Sequence, residues 1–182
     1  MDLAHEVLAT LWLFTPAFAA NMAPVLVKGH LEWMAGPVDG GRLLRGRRLL
    51  GDHKTWRGIV VGIVAGALVY ELQRALDQLP ALHALARIDY ASWPLLPGIL
   101  LGAGTGTGDA VKSLFKRQLD IAPGGSWLVF DQLDFLFGSW LFLLPVVEAP
   151  LLPLLATTPI VFVGGLVTSA IGHRAGLKDQ WP

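Results

Sequence analysis

Long apolar runs separated by short polar segments dominate this chain. A transmembrane helix needs roughly 20 mainly apolar residues, and five stretches satisfy that requirement. These stretches are Leu3 to Val27, Ile59 to Leu79, Pro94 to Phe115, Trp127 to Val147 and Leu151 to Ile171. The pattern predicts an all-α integral membrane protein with five transmembrane helices.

The second run is interrupted by polar residues, and the first could be mistaken for a signal peptide. Charged and amide side chains interrupt the second run after Tyr70, so its far end is expected at the membrane interface or against protein. The first run has no basic residue before Lys28 and is longer than the apolar part of a signal peptide. We therefore interpret it as a retained span.

Lysine and arginine fall almost entirely on one side of this topology. The loop 28–58, the segment 112–117 and the tail after Ile171 contain twelve basic residues, which leaves only Arg74 and Arg87 on the other side. Basic residues mark cytoplasmic segments. We expect a multi-pass protein of the cell membrane with an outer amino terminus, a cytoplasmic carboxyl terminus and a long cytoplasmic loop between helices 1 and 2.

Composition agrees with a membrane protein. Hydrophobic residues make up 53% of the 182 residues and charged residues 15%, and mean hydropathy is +0.54. The chain has no cysteine, which excludes disulfides, thiolate nucleophiles and cysteine-ligated zinc. A formal net charge of zero gives no reason to expect a nucleic-acid partner. Nothing divides residues 1–182 into separate domains.

Charged residues follow the third apolar run. If its helix continues past Gly108, then Asp109, Ser113, Lys116 and Asp120 share one face. This arrangement is typical of an ordinary solvated helix end. Here the charges begin within an apolar run, where they are costly, and that favours a functional site.

Two carboxylates, Asp131 and Asp134, share a helical face at the start of the fourth run. Neighbouring carboxylates repel each other unless a cation or a proton lies between them. They could instead stabilise the helix amino terminus. Together with the nearby basic residues 112–117, they predict a site for Mg²⁺ and a phosphorylated ligand.

The glycines of the third run have two interpretations. Gly98, Gly102 and Gly106 recur every four residues, as do Gly104 and Gly108, which suits close helix packing. Alternatively, the segment Gly104 to Gly108 exposes backbone amides to an anionic ligand. Spacing does not decide between the two interpretations.

The loop 28–58 is long enough to be functional or disordered. Its segment Gly51 to Gly58 mixes cations, a hydroxyl and an aromatic residue between two glycines, which resembles a phosphate-binding turn. The basic residues could instead mark the cytoplasmic side or anchor anionic lipid headgroups. Asn21, in the first run, could contact a neighbouring helix or a lipid headgroup.

These motifs resemble a known family. Gly108-Asp109, Ser113-Leu-Phe-Lys116-Arg117, Pro123-Gly124-Gly125 and Asp131-x-x-Asp134 resemble the signature of the CTP-dependent lipid cytidylyltransferases of the CDP-diacylglycerol synthase superfamily. The elements Asn21-x-x-Pro24, Pro37-x-Asp39-x-Gly41-Arg42 and Gly51-Asp-His-Lys54-Thr-Trp-Arg57-Gly58 are similar to its archaeal branch, the CDP-archaeol synthases.

The resemblance implies transfer of CMP from CTP to a glycerol ether phosphate with two geranylgeranyl chains, with release of pyrophosphate. It also implies two sets of site residues. The catalytic set is Asp109, Lys116, Arg117, Asp131 and Asp134, of which the three aspartates would bind Mg²⁺. The substrate-binding set is Asn21, Asp39, Arg42, Lys54, Thr55, Arg57, Gly106, Gly108 and Ser113.

Two other functions remain open from the residues alone. A CTP-dependent polyprenol or phytol kinase would release CDP rather than pyrophosphate. A small cation carrier would use the intramembrane acids as an ion path. A homodimer is a further expectation, with the glycine-rich third helix as its contact surface.

Overall fold

The computed structural model describes residues 2–122, 125, 127–147 and 151–174. Its helices, in chain order, have the following bounds. They are α1 (Leu3–Leu13), α2 (Thr15–Leu26), α3 (Trp56–Leu76), α4 (Pro80–His83), α5 (Leu96–Gln118), α6 (Leu128–Leu143) and α7 (Leu151–Arg174). The predicted helical class is confirmed, and helical ends differ from the predicted ones by a few residues.

The first predicted span is broken. Helices α1 and α2 meet at Phe14 with a bend of 42°. Pro16 causes the break because it has no amide hydrogen and its ring displaces the carbonyl four residues earlier, that of Trp12. The Thr15 hydroxyl and the Gln73 side chain of α3 each donate to the Trp12 carbonyl at 2.5 Å. A polar residue of the second span thus satisfies backbone exposed by the bend of the first.

Within the described residues, α3 and α7 are each long and apolar enough to cross a membrane, and α1 with α2 makes a third crossing if the bent pair is one span. Helix α6 has only 16 residues, and α5 carries four charged residues in its last three turns. By length and composition, α3, α7 and the bent pair account for up to three of the five predicted spans, and α5 and α6 are not among them. The count of five stays a prediction.

The loop 28–58 has more structure than the sequence predicted. A 3-10 turn covers Glu32–Met34, and two short strands, β1 (Leu43–Leu44) and β2 (Arg47–Arg48), form an antiparallel hairpin. Arg45 and Gly46 at its tip both have positive φ, as a tight two-residue hairpin turn requires. The hairpin docks on the end of α5, where Arg47 pairs with Asp120.

Helix α5 lies at the centre and packs closely against α3 and α6. A β-carbon built on Gly98 would lie 2.5 Å from the Tyr70 β-carbon, and one on Gly102 would lie 2.7 Å from the Ile63 α-carbon, both in α3. Gly104 and Gly108 meet α6 in the same way near Gly138. The packing interpretation of these glycines is confirmed, and these contacts lie within one chain rather than between copies.

The alternative interpretation of the segment Gly104 to Gly108 is wrong. Helix α5 is continuous from Leu96 to Gln118, so the amides in this segment are committed to helical hydrogen bonds. The helix ends before Asp120, which has positive φ and lies outside the shared face of Asp109 and Lys116. The predicted face therefore loses its last member.

We expect Gly104→Ala to destabilise the protein. Its methyl group would lie 2.6 Å from the Gly138 carbonyl oxygen and from the Ser139 α-carbon, both backbone atoms. Overpacking of this kind costs about 1–3 kcal/mol, so the melting temperature in detergent should fall by several degrees. Gly164→Ala in α7 is the matched control because nothing lies within 4 Å of its methyl group. Equal melting temperatures for the two variants would contradict the close α5–α6 contact.

Candidate active site

Charged side chains of α5 and α6 face each other just beyond the glycine contact. On α6, Asp131 and Asp134 follow one another at one-turn spacing, and on α5 the matching positions are Asp109, Lys112 and Lys116. Because Gly108 packs on the Asp134 backbone, the two helices approach closely enough for these side chains to pair.

Lys112 is the centre of the cluster. Its Nζ lies 2.9 Å from Asp109 Oδ1, 3.3 Å from Asp131 Oδ1 and 2.8 Å from Asp134 Oδ2. The Lys112 side chain is 13% exposed and that of Asp134 only 7%. A single ammonium group therefore bridges three carboxylates from two helices.

Lys116 completes the α5–α6 contact one turn later. Its Nζ donates to both oxygens of Asp131, at 2.6 and 2.9 Å. The backbone amide of Trp127 also donates to Asp131 Oδ2 at 2.6 Å, which fixes the carboxylate at the start of α6. Asp131 is thus held between two lysines and its own helix terminus.

Lys54 reaches the cluster from the loop 28–58. Its Nζ donates to Asp109 Oδ2 at 2.5 Å, on the oxygen that Lys112 does not contact. Thr55, the next residue, caps α3 by accepting a hydrogen bond from the Gly58 amide at 3.2 Å. The start of α3 therefore positions the loop lysine over α5.

Asp39 is buried inside this loop and accepts hydrogen bonds from several of its residues. Its side chain is 0% exposed, and it accepts hydrogen bonds from Arg48 at 2.9 Å and from the Leu50 and Gly51 amides at 2.9 and 3.1 Å. Burial opposes ionisation, but these donors hold the pKa of the Asp39 carboxyl well below its ordinary value. The carboxylate supports the loop that carries Lys54.

A cavity of about 760 Å³ opens beside the cluster. One end is lined by His53 and by four charged residues, Lys54, Asp109, Lys112 and Asp131. The other end is apolar, with side chains from α1, α2, α6 and α7. They include Leu11, Phe18, Phe135, Ile160 and Val161. A ligand with both a phosphate and an apolar tail fits such a cavity.

The structure brings many of the predicted site residues together. Those in the cluster or lining its cavity are Asp109, Asp131, Asp134, Lys116, Lys54, Thr55, Asn21 and Gly106. Asp134 and Lys116 are not among the cavity-lining residues. Each pairs with a residue that does line the cavity, Asp134 with Lys112 and Lys116 with Asp131.

Other predicted residues lie elsewhere. Arg117 donates to the Ala122 carbonyl at 3.1 Å, and Arg57 pairs with Glu32 at 2.7 Å, so neither belongs to the cluster. Ser113 donates to the carbonyl of Asp109 in its own helix at 2.9 Å.

Three further predicted site residues lie in packing contacts or on the loop. Gly108 is a packing residue, Arg42 is exposed on the loop, and the Asp39 oxygens are taken by the loop itself. Pro123 and Gly124 of the predicted motif lie outside the described residues, as does Lys178 of the tail.

Two site residues were missed by sequence reasoning. Lys112 belongs to the basic segment 112–117, and its position three residues after Asp109 is the sequence signal that places both on one helical face. Gln132, beside Asp131, lines the cavity and carried no motif signal.

The donor set has the chemistry that Mg²⁺ prefers, since carboxylate oxygens are its usual protein ligands. Among the described residues, however, no group of three acids or histidines is arranged to hold a metal ion. The Lys112 ammonium lies among the three carboxylates. An ion and this lysine would share the same oxygens.

Comparisons with known proteins agree with this geometry. A family model described as CarS-like, CDP-archaeol synthase, matches residues 3–182. The chain belongs to the CDP-archaeol synthase family. The predicted resemblance to the archaeal branch is therefore confirmed.

Relatives named CDP-archaeol synthase match over nearly their whole length. The Halobacterium salinarum protein is 37% identical over 186 residues, covering 99% of this chain and 99% of the relative. The Pyrococcus furiosus protein is 33% identical over 180 residues, covering 96% and 98%. The Thermococcus gammatolerans protein is 39% identical over 173 residues, covering 93% and 92%.

A solved structure of an intramembrane enzyme for archaeal membrane lipids biosynthesis has a similar fold. Its TM-score is 0.71 at 28% identity, covering 87% of this chain and 90% of that one. The fold of this CDP-archaeol synthase family member is therefore that of a membrane enzyme.

Low pH should destabilise the loop 28–58, because protonation of Asp39 removes the charge that its hydrogen-bond donors stabilise. Because its folded pKa is below its unfolded pKa of about 3.9, Asp39 adds stability that is complete above that pH and is lost as pH falls further. We expect Asp39→Asn to lower the melting temperature near neutral pH, with a difference that shrinks below about pH 4. Asp52→Asn, which removes the other, exposed partner of Arg48, should cost much less. Melting curves that stay parallel for wild type and Asp39→Asn across this range would refute the assignment.

Proposed function

We propose that this protein transfers CMP from CTP to a geranylgeranyl glycerol ether phosphate and releases pyrophosphate. Family membership supports this activity, and a lysine-rich cluster at the charged end of a half-apolar cavity carries it structurally. The cavity joins a place for a triphosphate to a place for isoprenoid chains. The kinase and carrier alternatives are not favoured, because the relatives are named as synthases.

The reaction needs little acid or base chemistry. A phosphate oxygen of the lipid attacks the α-phosphorus of CTP and forms the new P–O bond. The bond from that phosphorus to the oxygen bridging to the β-phosphorus breaks, and pyrophosphate leaves with its electrons. A phosphate monoester is already a nucleophile, so positioning and charge neutralisation supply the catalysis.

Three lysines provide the positive charge. Lys54, Lys112 and Lys116 converge on the cluster, and each is held by at least one aspartate. Phosphate oxygens can replace carboxylate oxygens around an ammonium group at little cost in geometry. The aspartates therefore keep the lysines in place before the substrates arrive.

We assign Mg²⁺ to Asp109 and Asp131, which line the cavity. Bound there, the ion would neutralise charge on the triphosphate. Asp134 is more deeply buried and serves to orient Lys112. This assignment gives the three predicted metal ligands two different roles.

Five spans with the site on the cytoplasmic side suit the charge distribution. Helix α5 has 23 residues and is about 34 Å long at 1.5 Å per residue, which is enough to cross a hydrocarbon layer of about 30 Å. The basic loop and the charged end of α5 then share the cytoplasmic side, where CTP is available. A homodimer stays a prediction.

We expect purified protein in detergent to release pyrophosphate only when CTP, Mg²⁺ and geranylgeranyl glycerol ether phosphate are all present. Omitting the lipid or the metal should reduce release to background. ATP in place of CTP, and a diacyl phosphatidate in place of the ether lipid, are the matched controls for nucleotide and lipid.

Other products would identify the alternatives. Release of CDP with a polyprenol acceptor would point to the kinase, and nucleotide-independent cation flux in liposomes would point to the carrier. Pyrophosphate release that persists in a metal chelator would overturn the magnesium assignment while leaving the transfer reaction intact.

A further inference from the structure

Gln132 is a buried polar side chain that the lysine and aspartate cluster does not use. It is 8% exposed and lines the cavity. Its amide makes no hydrogen bond to any residue in the described part of the chain. The amide borders the cavity, where a bound ligand can supply its hydrogen-bond partner.

Gly165 of α7 keeps this amide in position. A β-carbon at Gly165 would collide with Gln132 Oε1 and would also approach its Cδ at 3.1 Å. The neighbouring Gly164 has nothing within 4 Å of its own β-carbon position. A β-carbon at 165 would therefore displace the end of the Gln132 side chain, and with Oε1 against Gly165 the NH₂ group is the donor for a ligand.

The location of Gln132 selects the ligand. Asp131, the preceding residue, belongs to the charged end of the cavity, whereas Phe135, one turn later, belongs to its apolar end. Gly165 lies nine residues before Arg174, the last described residue of α7, or about 13 Å of helical rise. Gln132 thus lies at the boundary of the two ends, inside the membrane layer.

Building on the proposed function, we propose that Gln132 recognises the glycerol ether portion of the lipid substrate. In a lipid whose phosphate lies at the charged end and whose chains lie at the apolar end, the ether oxygens occupy this boundary. Ether oxygens accept hydrogen bonds and cannot donate them, so the Gln132 NH₂ group donates to one of them. Gln132 is a specificity residue for the lipid and has no role in binding the triphosphate.

Gln132→Met tests this directly because methionine has similar length and no donor. We expect KM for the ether lipid to rise about three- to tenfold, the range of one net hydrogen bond. KM for CTP should not change. An analogue with a methylene in place of one ether oxygen, tried at each position, should bind wild type more weakly but Gln132→Met equally well.

Gly165→Ala provides a second perturbation that leaves Gln132 itself intact. Its methyl group displaces the amide, so KM for the lipid should rise as it does in Gln132→Met. Gly164→Ala adds the same methyl group one residue earlier and should have an effect several times smaller. Lipid-induced stabilisation in a melting assay gives a readout independent of turnover, and it should be reduced in Gln132→Met and Gly165→Ala.

The outcomes separate this inference from the proposed function. Wild-type protein that releases no pyrophosphate contradicts the transfer activity itself. Active wild type with an unchanged lipid KM in Gln132→Met overturns the role of Gln132. A rise in KM for CTP instead would show that the amide contacts the nucleotide, and this too would overturn the proposal.

Discussion

Glycine residues allow α5 and α6 to approach until their backbones touch, and the site depends on this approach. Gly104 and Gly108 meet α6 near Gly138 with no space for a β-carbon. One turn beyond the contact, lysines and aspartates of the two helices come within hydrogen-bonding distance. A larger residue at this contact would separate the helices and with them the charges.

The resulting cluster is neutral, with three lysines facing three aspartates. Charges buried in a membrane protein are tolerated when they are paired, because pairing offsets part of the cost of losing water. In the proposed function, the same pairing orients the ammonium groups before phosphorylated substrates bind. Lys54 links the cluster to the loop 28–58, and the hydrogen bonds of buried Asp39 stabilise that loop.

Much of this architecture was predictable from sequence. Apolar run length indicated the helices, and the four-residue spacing of the glycines indicated close packing, because both signals are local. The motif Asp131-x-x-Asp134 indicated the acidic face of α6 for the same reason. Family resemblance supplied the reaction, which charge and hydropathy alone did not.

The missed features depend on contacts between distant segments. Hydropathy does not show the bend at Phe14, although Pro16 was a visible signal for it. The bridging role of Lys112 and the burial of Asp39 require knowing which helices and loop residues meet. Gln132 belongs to no motif, and only its position against Gly165 makes it notable.

The central claim is that the cluster around Lys112 is the reaction site, and turnover of Lys112→Met measures it most directly. This change removes the ammonium group that bridges three carboxylates while keeping an unbranched side chain of similar length. We predict pyrophosphate release at least about 100-fold below wild type, as expected for loss of a group that stabilises charge in a transition state. Membrane insertion should be retained, and Asp120→Asn, on an exposed residue outside the cavity, should keep near-wild-type turnover. Wild-type turnover in Lys112→Met would contradict the account.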